Sequence, residues 1–285
     1  MTSDVSVLTL VGDRQDHFDR LVAGLARSTV PPDELVVSDI GETPVRLPEA
    51  PFPIRRIAVA GSPPRLAAAR NRTAEAAYGR RLLFLDVDCI PGRHFVERLS
   101  AAIETTDGLF CSEVFYLQQG AVSDGWSERD LATAGRAHPV RRFPSAGMRR
   151  EDNPGLFWSL AFGVGRSAFE RVGGFDERFI GYGAEDTDFG FAARENGVPL
   201  FMLAGAPAFH QHHQTFDPPL QHFDAILRNA ERFHVKWRVW PMGGWLDAFA
   251  DLGLIDQPAT GPIVVRRKPT ADEISAAARP PGEPF

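Results

Sequence analysis

The chain has 285 residues, of which 44% are hydrophobic and 24% charged, the ordinary range for a globular protein with a sizeable core. Its 31 Lys and Arg against 37 Asp and Glu leave a net charge of −6, which argues against a general nucleic-acid binder, whose phosphate contacts need a basic surface. Cys89 and Cys111 are too few for a disulfide framework and lack the close spacing of a zinc or redox motif, and no apolar run reaches the ~18 to 20 residues that span a bilayer. The opening MTSDVSVLTLVGD has no basic leader region and reads as a strand, so a reducing, cytoplasmic setting is expected; peripheral contact with the inner face of a membrane is compatible with it.

In chain order, Val5 to Val11 is a β-rich run, and Phe18, Leu21, Val22 and Leu25 then follow helical spacing. Leu35 to Val37 and Ile54 to Val59 read as the next strands, Leu66 to Ala77 as an Ala-rich helix, and Leu82 to Leu85 as a buried strand that runs into Asp86-Val87-Asp88. Phe95, Val96, Leu99 and Ile103 make another helical stripe. This alternation predicts an α/β fold, a Rossmann-like, mainly parallel sheet with helices on both faces, whose ligands bind beyond the carboxyl ends of the strands. Asp13, Asp39 and Asp86 all fall at such ends.

Gly120 to Asn153 is polar and aperiodic, as a long surface excursion would be. Phe157 to Val164 reads as a strand, Ser167 to Val172 as a short helix, Glu185 to Asn196 as a helix with acids in its first turn, and Leu200 to Leu203 as a strand. His222 to Trp237 carries a further helical stripe, with Trp237, Trp240 and Trp245 crowded at its end; core packing is expected of them first, an acceptor platform or a membrane-surface contact being the alternatives. Residues 1–255 are expected to form one domain, with a nucleotide-binding half over about 1–118 and a catalytic half over about 154–255; 256–285, poor in large apolar residues, is expected to be a flexible tail.

Three constellations can carry chemistry. In LLFLDVDCIP, alternate residues of an extended segment put Asp86 and Asp88 on one side and Val87 on the other. Two carboxylates so close need positive charge beside them, and a divalent cation, which also bridges phosphates, supplies it economically; a solvated turn is the plainer alternative. In GYGAEDTDFGF, Glu185, Asp186 and Asp188 open a helix behind Gly181 and Gly183, where one acid suffices as a cap, a carboxylate can accept a proton from a bound hydroxyl, and Tyr182 offers a flat face to a sugar ring. In FHQHHQT, His210, His212 and His213 follow a strand at spacing suited to a Mn- or Zn-type ion, although a single His is more often structural.

VSVLTLVGDR, VVSDIGE, AAARN and FLDVDCIP, in that order, resemble the landmarks of family 2 type glycosyltransferases with the GT-A fold. GRSAFERVGGFDERFIGYGAEDTDFGFAARENG is similar to the catalytic block shared by β-1,4-galactosyltransferases and polypeptide N-acetylgalactosaminyltransferases. The resemblance spans roughly residues 4 to 216. It implies an inverting hexosyl transfer from a nucleotide diphosphate sugar, a uridine diphosphate sugar being expected, with Mn²⁺ or Mg²⁺ on the diphosphate and a glycan, a lipid-linked or a small-molecule acceptor. It further implies that Val11 and Asp39 meet the nucleobase, that Arg65 and Asn71 line the same pocket, and that Asp86 reaches the ribose or the metal's waters. Asp88 would ligate the metal with His213, His210 being the second choice; Asp186 would be the base; and Tyr182, Gly183, Glu185 and Trp158 would line the acceptor and donor sugar subsites. Gly12-Asp13 stands where an aromatic-Asn pair is common, and Thr187 where the galactosyltransferase version often has an acid. The competing expectations are a sugar-nucleotide or glycan binder of the same fold without turnover, a zinc protein built on the histidines, and a nucleotidyltransferase. The last ranks lowest for want of a glycine-rich, basic loop after the first strand.

Overall fold

The computed structural model describes residues 4–58, 65–256 and 261–280. Its first half is a run of βα units: β1 (Val5–Val11), α1 (Gln15–Leu25), β2 (Glu34–Asp39), β3 (Ile54–Ala58), α2 (Leu66–Ala76), β4 (Arg81–Leu85), β5 (Cys89–Pro91), α3 (Phe95–Thr105) and β6 (Leu109–Tyr116). Across the expected excursion come α4 (Glu128–Ala134) and the short strands β7 (Arg136–Ala137) and β8 (Met148–Glu151). β9 (Ala161–Gly165), α5 (Arg166–Val172), α6 (Glu185–Glu195), β10 (Leu200–His210) and α7 (Phe223–Trp237) follow, then α8 (Gly243–Asp251), β11 (Ile255–Asp256), β12 (Val264–Val265) and α9 (Ala271–Ala276). Val59, expected at the end of β3, lies outside the described residues.

The main sheet runs β3-β2-β1-β4-β9-β6-β10-β5, with β7 against β6 and β8 against β10. β1 to β4 pair in parallel; β9 is antiparallel to both β4 and β6; and β10 returns parallel to β6. Six strands therefore share one direction, and their carboxyl ends form one rim. Every residue of β1 and β2 is buried, as central parallel strands require. α1 and α3 bury Phe18, Leu21, Val96 and Leu99 in one core face, while α2, α5 and α6 bury Ala67, Phe169 and Phe189 in the other. The mainly parallel α/β sheet with helices on both faces, expected from the alternation, is the observed architecture.

Three local readings need correction. Leu109–Tyr116, not singled out by periodicity, is a strand between β9 and β10, because its apolar run is buried on both sides. β10 does not stop at Leu203: a register shift between Leu203 and Ala208 absorbs Gly205, at φ +78°, and the strand continues to His210. Where a flexible tail was expected, residues 261–280 are docked. The Asp217 N–H donates to Ala277 O (2.8 Å), the Arg279 N–H to Thr215 O (2.9 Å), and Lys268 pairs with Asp224 at 2.7 Å. Ile263 is 7% exposed, and Ile274 packs on the α7–α8 cluster, so few apolar residues suffice when the backbone is bridged and the charges are paired.

Glu34 ties the first three layers together. Its Oε1 accepts from the Ser6 hydroxyl and the Tyr78 N–H, each at 2.6 Å, and its Oε2 accepts two bonds from Arg55, at 2.8 and 2.7 Å. Burial pushes the carboxyl up, but these donors outweigh it and hold it below its ordinary value. A depressed carboxyl stabilises the fold above its unfolded pKa and ceases to do so as the pH falls through its folded one. Glu34→Gln is expected to cost about 1 to 3 kcal/mol at neutral pH, measured by urea unfolding, with the gap from the parent narrowing as the buffer is acidified.

Candidate active site

Asp86 and Asp88 leave the end of β4 at the carboxyl rim, with Val87 turned back into the core at 7% exposure. β5 then reverses the chain and pairs antiparallel with the end of β10, aligning Cys89 with His210, and the Gln211 N–H donates to Asp88 O at 2.6 Å. That short seam brings two sequence-distant motifs together. His213 Nε2 lies 3.3 Å from Asp88 Oδ2 and His210 Nε2 lies 3.6 Å from Asp88 Oδ1. The ligand atoms of Asp88, His210 and His213 all fall within 4.8 Å of one another.

This donor set fits a divalent cation: one carboxylate, which hard ions take, and two imidazoles, which suit Mn- and Zn-type ions. Burial lowers the pKa of His210 and favours the neutral, ligating ring. Burial would raise Asp88, but His210, His213 and Arg14 overcome it, so this carboxyl lies well below its usual range. Gln211, 1% exposed, clamps the loop by donating to His17 O at 3.2 Å, and His17 Nε2 lies 3.3 Å from the backbone O of His212, whose ring is not among the clustered ligand atoms.

Two arginines that the motifs did not announce complete the charge pattern. Arg14, at the start of α1, places Nη1 2.8 Å from Asp88 Oδ2. Arg70, 5% exposed on α2, places Nη2 3.3 Å from Asp86 Oδ1 and Nη1 3.2 Å from Glu185 Oε1. Arg70 stands in the quoted AAARN run beside Asn71, and one residue is about 100° of helix, so the two face different neighbours. Asn71 donates to Phe175 O at 2.8 Å and accepts from the Phe175 N–H at 2.8 Å, which fastens the Gly173-Gly174 turn. Its amide is thus spent on the fold and does not line the cleft.

Glu185 and Asp186 begin α6 after a strained loop. Gly181 and Gly183 have φ of +83° and +94°, and Ala184 follows at +71°. At φ +94° Gly183 holds a backbone conformation that other residues rarely adopt, and a Cβ there would also press on Met242 Sδ at 2.8 Å. Asn229 of α7, fully buried, holds this loop by donating to the carbonyls of Ile180, Tyr182 and Gly183 at 3.3, 3.2 and 2.9 Å. Burial raises the carboxyl of Asp186, with Arg70 and the Thr187 N–H (2.6 Å to Oδ1) opposing; burial and Asp186 together raise Glu185 against Arg70. Asp188 points elsewhere. It accepts from Trp237 Nε1 at 2.7 Å and Lys236 Nζ at 2.9 Å, which accounts structurally for one acid and one member of the Trp cluster.

A cavity of about 1690 Å³ is lined by Asp86, Asp88, His210, His213, Glu185 and Asp186 together. Tyr182 also lines it, stacked on His222 at 4.3 Å with Trp245 at 5.8 Å, as does Trp158, edge-on to His138 at 4.8 Å. Leu10, Ile40 and Leu66 add apolar lining, along with Gly12. Val11 and Asp39 adjoin this lining in the chain and are buried; Asp39 accepts from the Val45 N–H at 2.8 Å, and Asp13 likewise holds the Glu42 and Thr43 N–H groups. Arg65 is exposed before α2 and is not in the wall. The docked segment contributes Lys268, Ile274 and Arg279 to the lining.

This sheet, with its acids and histidines gathered at one carboxyl rim, is a GT-A fold of the glycosyltransferase type. Residues 6–179 match the model of glycosyl transferase family 2, more than half of the chain, and the protein belongs to that family. Residues 150–214 match a second model, described as the N-terminal domain of galactosyltransferase, and this stretch contains Glu185, Asp186, His210 and His213. The chain is 28% identical over 260 residues to validoxylamine A glucosyltransferase of Streptomyces hygroscopicus subsp. limoneus, covering 81% of this chain and 57% of that one. The subsp. jinggangensis (strain 5008) protein of the same name is also 28% identical, with 61% of its length covered, so the chain spans about three fifths of these curated relatives. Among solved structures, GalNAc-T7 with UDP, GalNAc and Mn²⁺ superimposes with a TM-score of 0.53 at 16% identity, over 73% of this chain and 43% of that one. S. aureus TarS 1–349 gives 0.53 at 13% identity, over 81% and 65%. These two likenesses show the shared fold.

Arg70 is the buried counter-charge of the cluster, and removing one partner of such a group leaves uncompensated charge. Arg70→Met is expected to lose about 3 to 5 kcal/mol in urea unfolding at neutral pH. Without Arg70, Asp86 and Glu185, already raised by burial, rise further; the folded state then binds more protons than the unfolded one, and the loss shrinks as pH falls. A loss that does not vary between about pH 8 and about pH 5.5 would count against this pairing.

Proposed function

We propose that this chain is an inverting, metal-dependent glycosyltransferase that moves a sugar from a nucleotide diphosphate donor, a uridine diphosphate sugar, to an acceptor hydroxyl. The observation that carries this reading is the shared cavity: the cluster suited to a cation and the raised carboxyl of Asp186 line one space. Its volume exceeds the ~300 to 1,000 Å³ of ordinary small-molecule sites, which leaves room for a donor and an acceptor together. The curated relatives are named for glucosyl transfer to validoxylamine A, which favours a glucosyl donor.

Asp88, His213 and His210 would hold Mn²⁺ or Mg²⁺, which when bound supplies the charge that stabilises a departing diphosphate. The chain's own groups account for the remaining requirements. Leu10, Ile40 and Leu66 give the base an apolar slot at the ends of β1 and β2, in front of Val11 and Asp39, and Asp86 faces the ribose from its pair with Arg70. Arg65, exposed beside that slot, is assigned to the nucleotide from solution, while Asn71 shapes the turn behind it. Tyr182, Gly183 and Trp158 form the sugar subsite, and Glu185, steadied by Arg70, accepts from sugar hydroxyls.

Asp186 takes the proton of the acceptor hydroxyl as its oxygen attacks the anomeric carbon on the face opposite the leaving diphosphate, which inverts that centre. A carboxyl raised by burial is a stronger base than one in water, and the strained Gly181-to-Ala184 loop fixes where it points. No helix among the described residues is long and apolar enough to cross a membrane, which fits a cytoplasmic enzyme that meets a glycan, a lipid-linked or a small-molecule acceptor. Asp186→Asn is expected to lower UDP release from UDP-glucose, measured over an acceptor panel, by about 10² to 10⁴-fold. Calorimetric binding of UDP with Mn²⁺ should stay within about twofold of the parent. Undiminished turnover in that variant would reject the base; UDP binding in the parent that ignores Mn²⁺ would reject the metal.

A further inference from the structure

Arg14 has no place in the residue roles above, yet it makes the shortest contact of the cation cluster, 2.8 Å from Nη1 to Asp88 Oδ2. The same oxygen lies 3.3 Å from His213 Nε2, within the group of atoms that could ligate an ion. The Arg14 side chain is 36% exposed against 12% for Asp88, so the guanidinium reaches inward from the cavity mouth rather than being sealed in. Its backbone, by contrast, is fixed: Asp13 before it, at φ +52°, is stapled to the Glu42 and Thr43 N–H groups, and α1 begins immediately after it. A tethered cation on a long, partly solvated arm can leave its carboxylate without any movement of the fold.

We infer that Arg14 is a built-in counter-ion of Asp88 that competes with the divalent cation for Oδ2, and that on release it becomes a cation for an anionic group in the same cavity. This inference rests on the metal reading of the Asp88, His210 and His213 cluster. A guanidinium is always protonated, so it cannot share the oxygen with a divalent ion at no cost; one positive charge must withdraw before the other settles. Arg14 lines the cavity together with Gly12 and Arg70, so the withdrawn guanidinium stays within reach of an anionic group bound there. The arrangement makes the ion weakly held when alone and more strongly held when it arrives with a diphosphate, because the anion then takes up the displaced Arg14.

The probe is Mn²⁺ alone, titrated calorimetrically into the full chain and into Arg14→Gln, Arg14→Lys and His213→Ala. Arg14→Gln is expected to bind Mn²⁺ roughly twofold to tenfold more tightly than the parent, the scale of an ion pair at the water boundary, and Arg14→Lys to stay close to the parent. A second titration, of UDP at saturating Mn²⁺, should show Arg14→Gln binding the nucleotide at least about threefold more weakly. Unchanged or weaker Mn²⁺ binding by Arg14→Gln, with binding lost in His213→Ala, would overturn the role of Arg14 alone. Mn²⁺ binding that His213→Ala leaves intact, or none in either the parent or Arg14→Gln, would overturn it together with the metal reading. Thermal unfolding of each variant establishes that the comparison is made on folded protein.

Discussion

Two carboxylates at alternate positions of one strand end, at the ~4 Å separation and effective dielectric of ~20 typical of such sites, repel by ~4 kcal/mol, and the surrounding structure has to answer that repulsion. It does so by giving each acid separate cations from different parts of the chain. Asp86 turns to Arg70 of α2, which also holds Glu185 at the start of α6; Asp88 turns to Arg14 before α1 and to two histidines at the end of β10. The like-charge pair thereby links four elements at the carboxyl rim. The same distribution separates the two environments: Asp86 stays high because burial and Asp88 outweigh its single arginine, whereas Asp88, with three partners, stays low.

Such a cluster needs a rigid frame, since each buried charge is tolerable only while its partner stays within reach. The frame is made by close backbone pairing. The β5–β10 seam fixes Asp88 against Gln211, Gln211 and His17 clamp the histidine loop, and Asn229 gathers three carbonyls of the loop that precedes Glu185. Positive φ at Ala184 and Asp13, both non-glycine residues at the rim, indicates that local comfort gives way to placement in these two loops. The apolar cores on either face of the sheet, dense in phenylalanine, supply the stability against which that strain is set.

Much of this was legible in the sequence because it is local. Strand and helix periodicities gave the βα order, the alternation of Asp86, Val87 and Asp88 gave their opposed directions, and three histidines in one short run marked the end of β10. What was not legible depends on contacts between distant segments. Arg70 looks like any helical arginine until Glu185, 115 positions away, is placed beside it, and Arg14 looks like a surface residue until β4 ends next to α1. Asn71 was assigned to the cleft because it sits in the right run, but a rotation of one residue turns it to the Phe175 backbone. Asp188 was grouped with its neighbours by charge, although the helical turn sends it to Trp237 and Lys236. Residues 261–280 were misread because burial was judged from apolar content, while the segment is held by a backbone bridge and ion pairs that composition does not display.

The side of the cavity away from the cation cluster is built on different principles from the rim. It is framed by a separate apolar cluster of α7 and α8, Leu220, Phe223, Ile226, Leu246 and Phe249, which does not merge with either face of the sheet. Among the ties that connect it to the rim are Asn229 of α7 on the loop before Glu185, the bond from α7 to Asp188, and the bridge of 277–279 to 215–217, directly after the histidine loop. Within it, Tyr182, His222 and Trp245 come from three separate segments and meet as a stack, so no short motif could record the surface they present. Because the cation cluster draws its charges from α1, α2 and β10 and none from α7 or α8, side chains on this wall can change without unbalancing the buried charges. A wall of that kind is where differences in the proposed acceptor would be written, and the sheet rim is where the shared chemistry would stay constant.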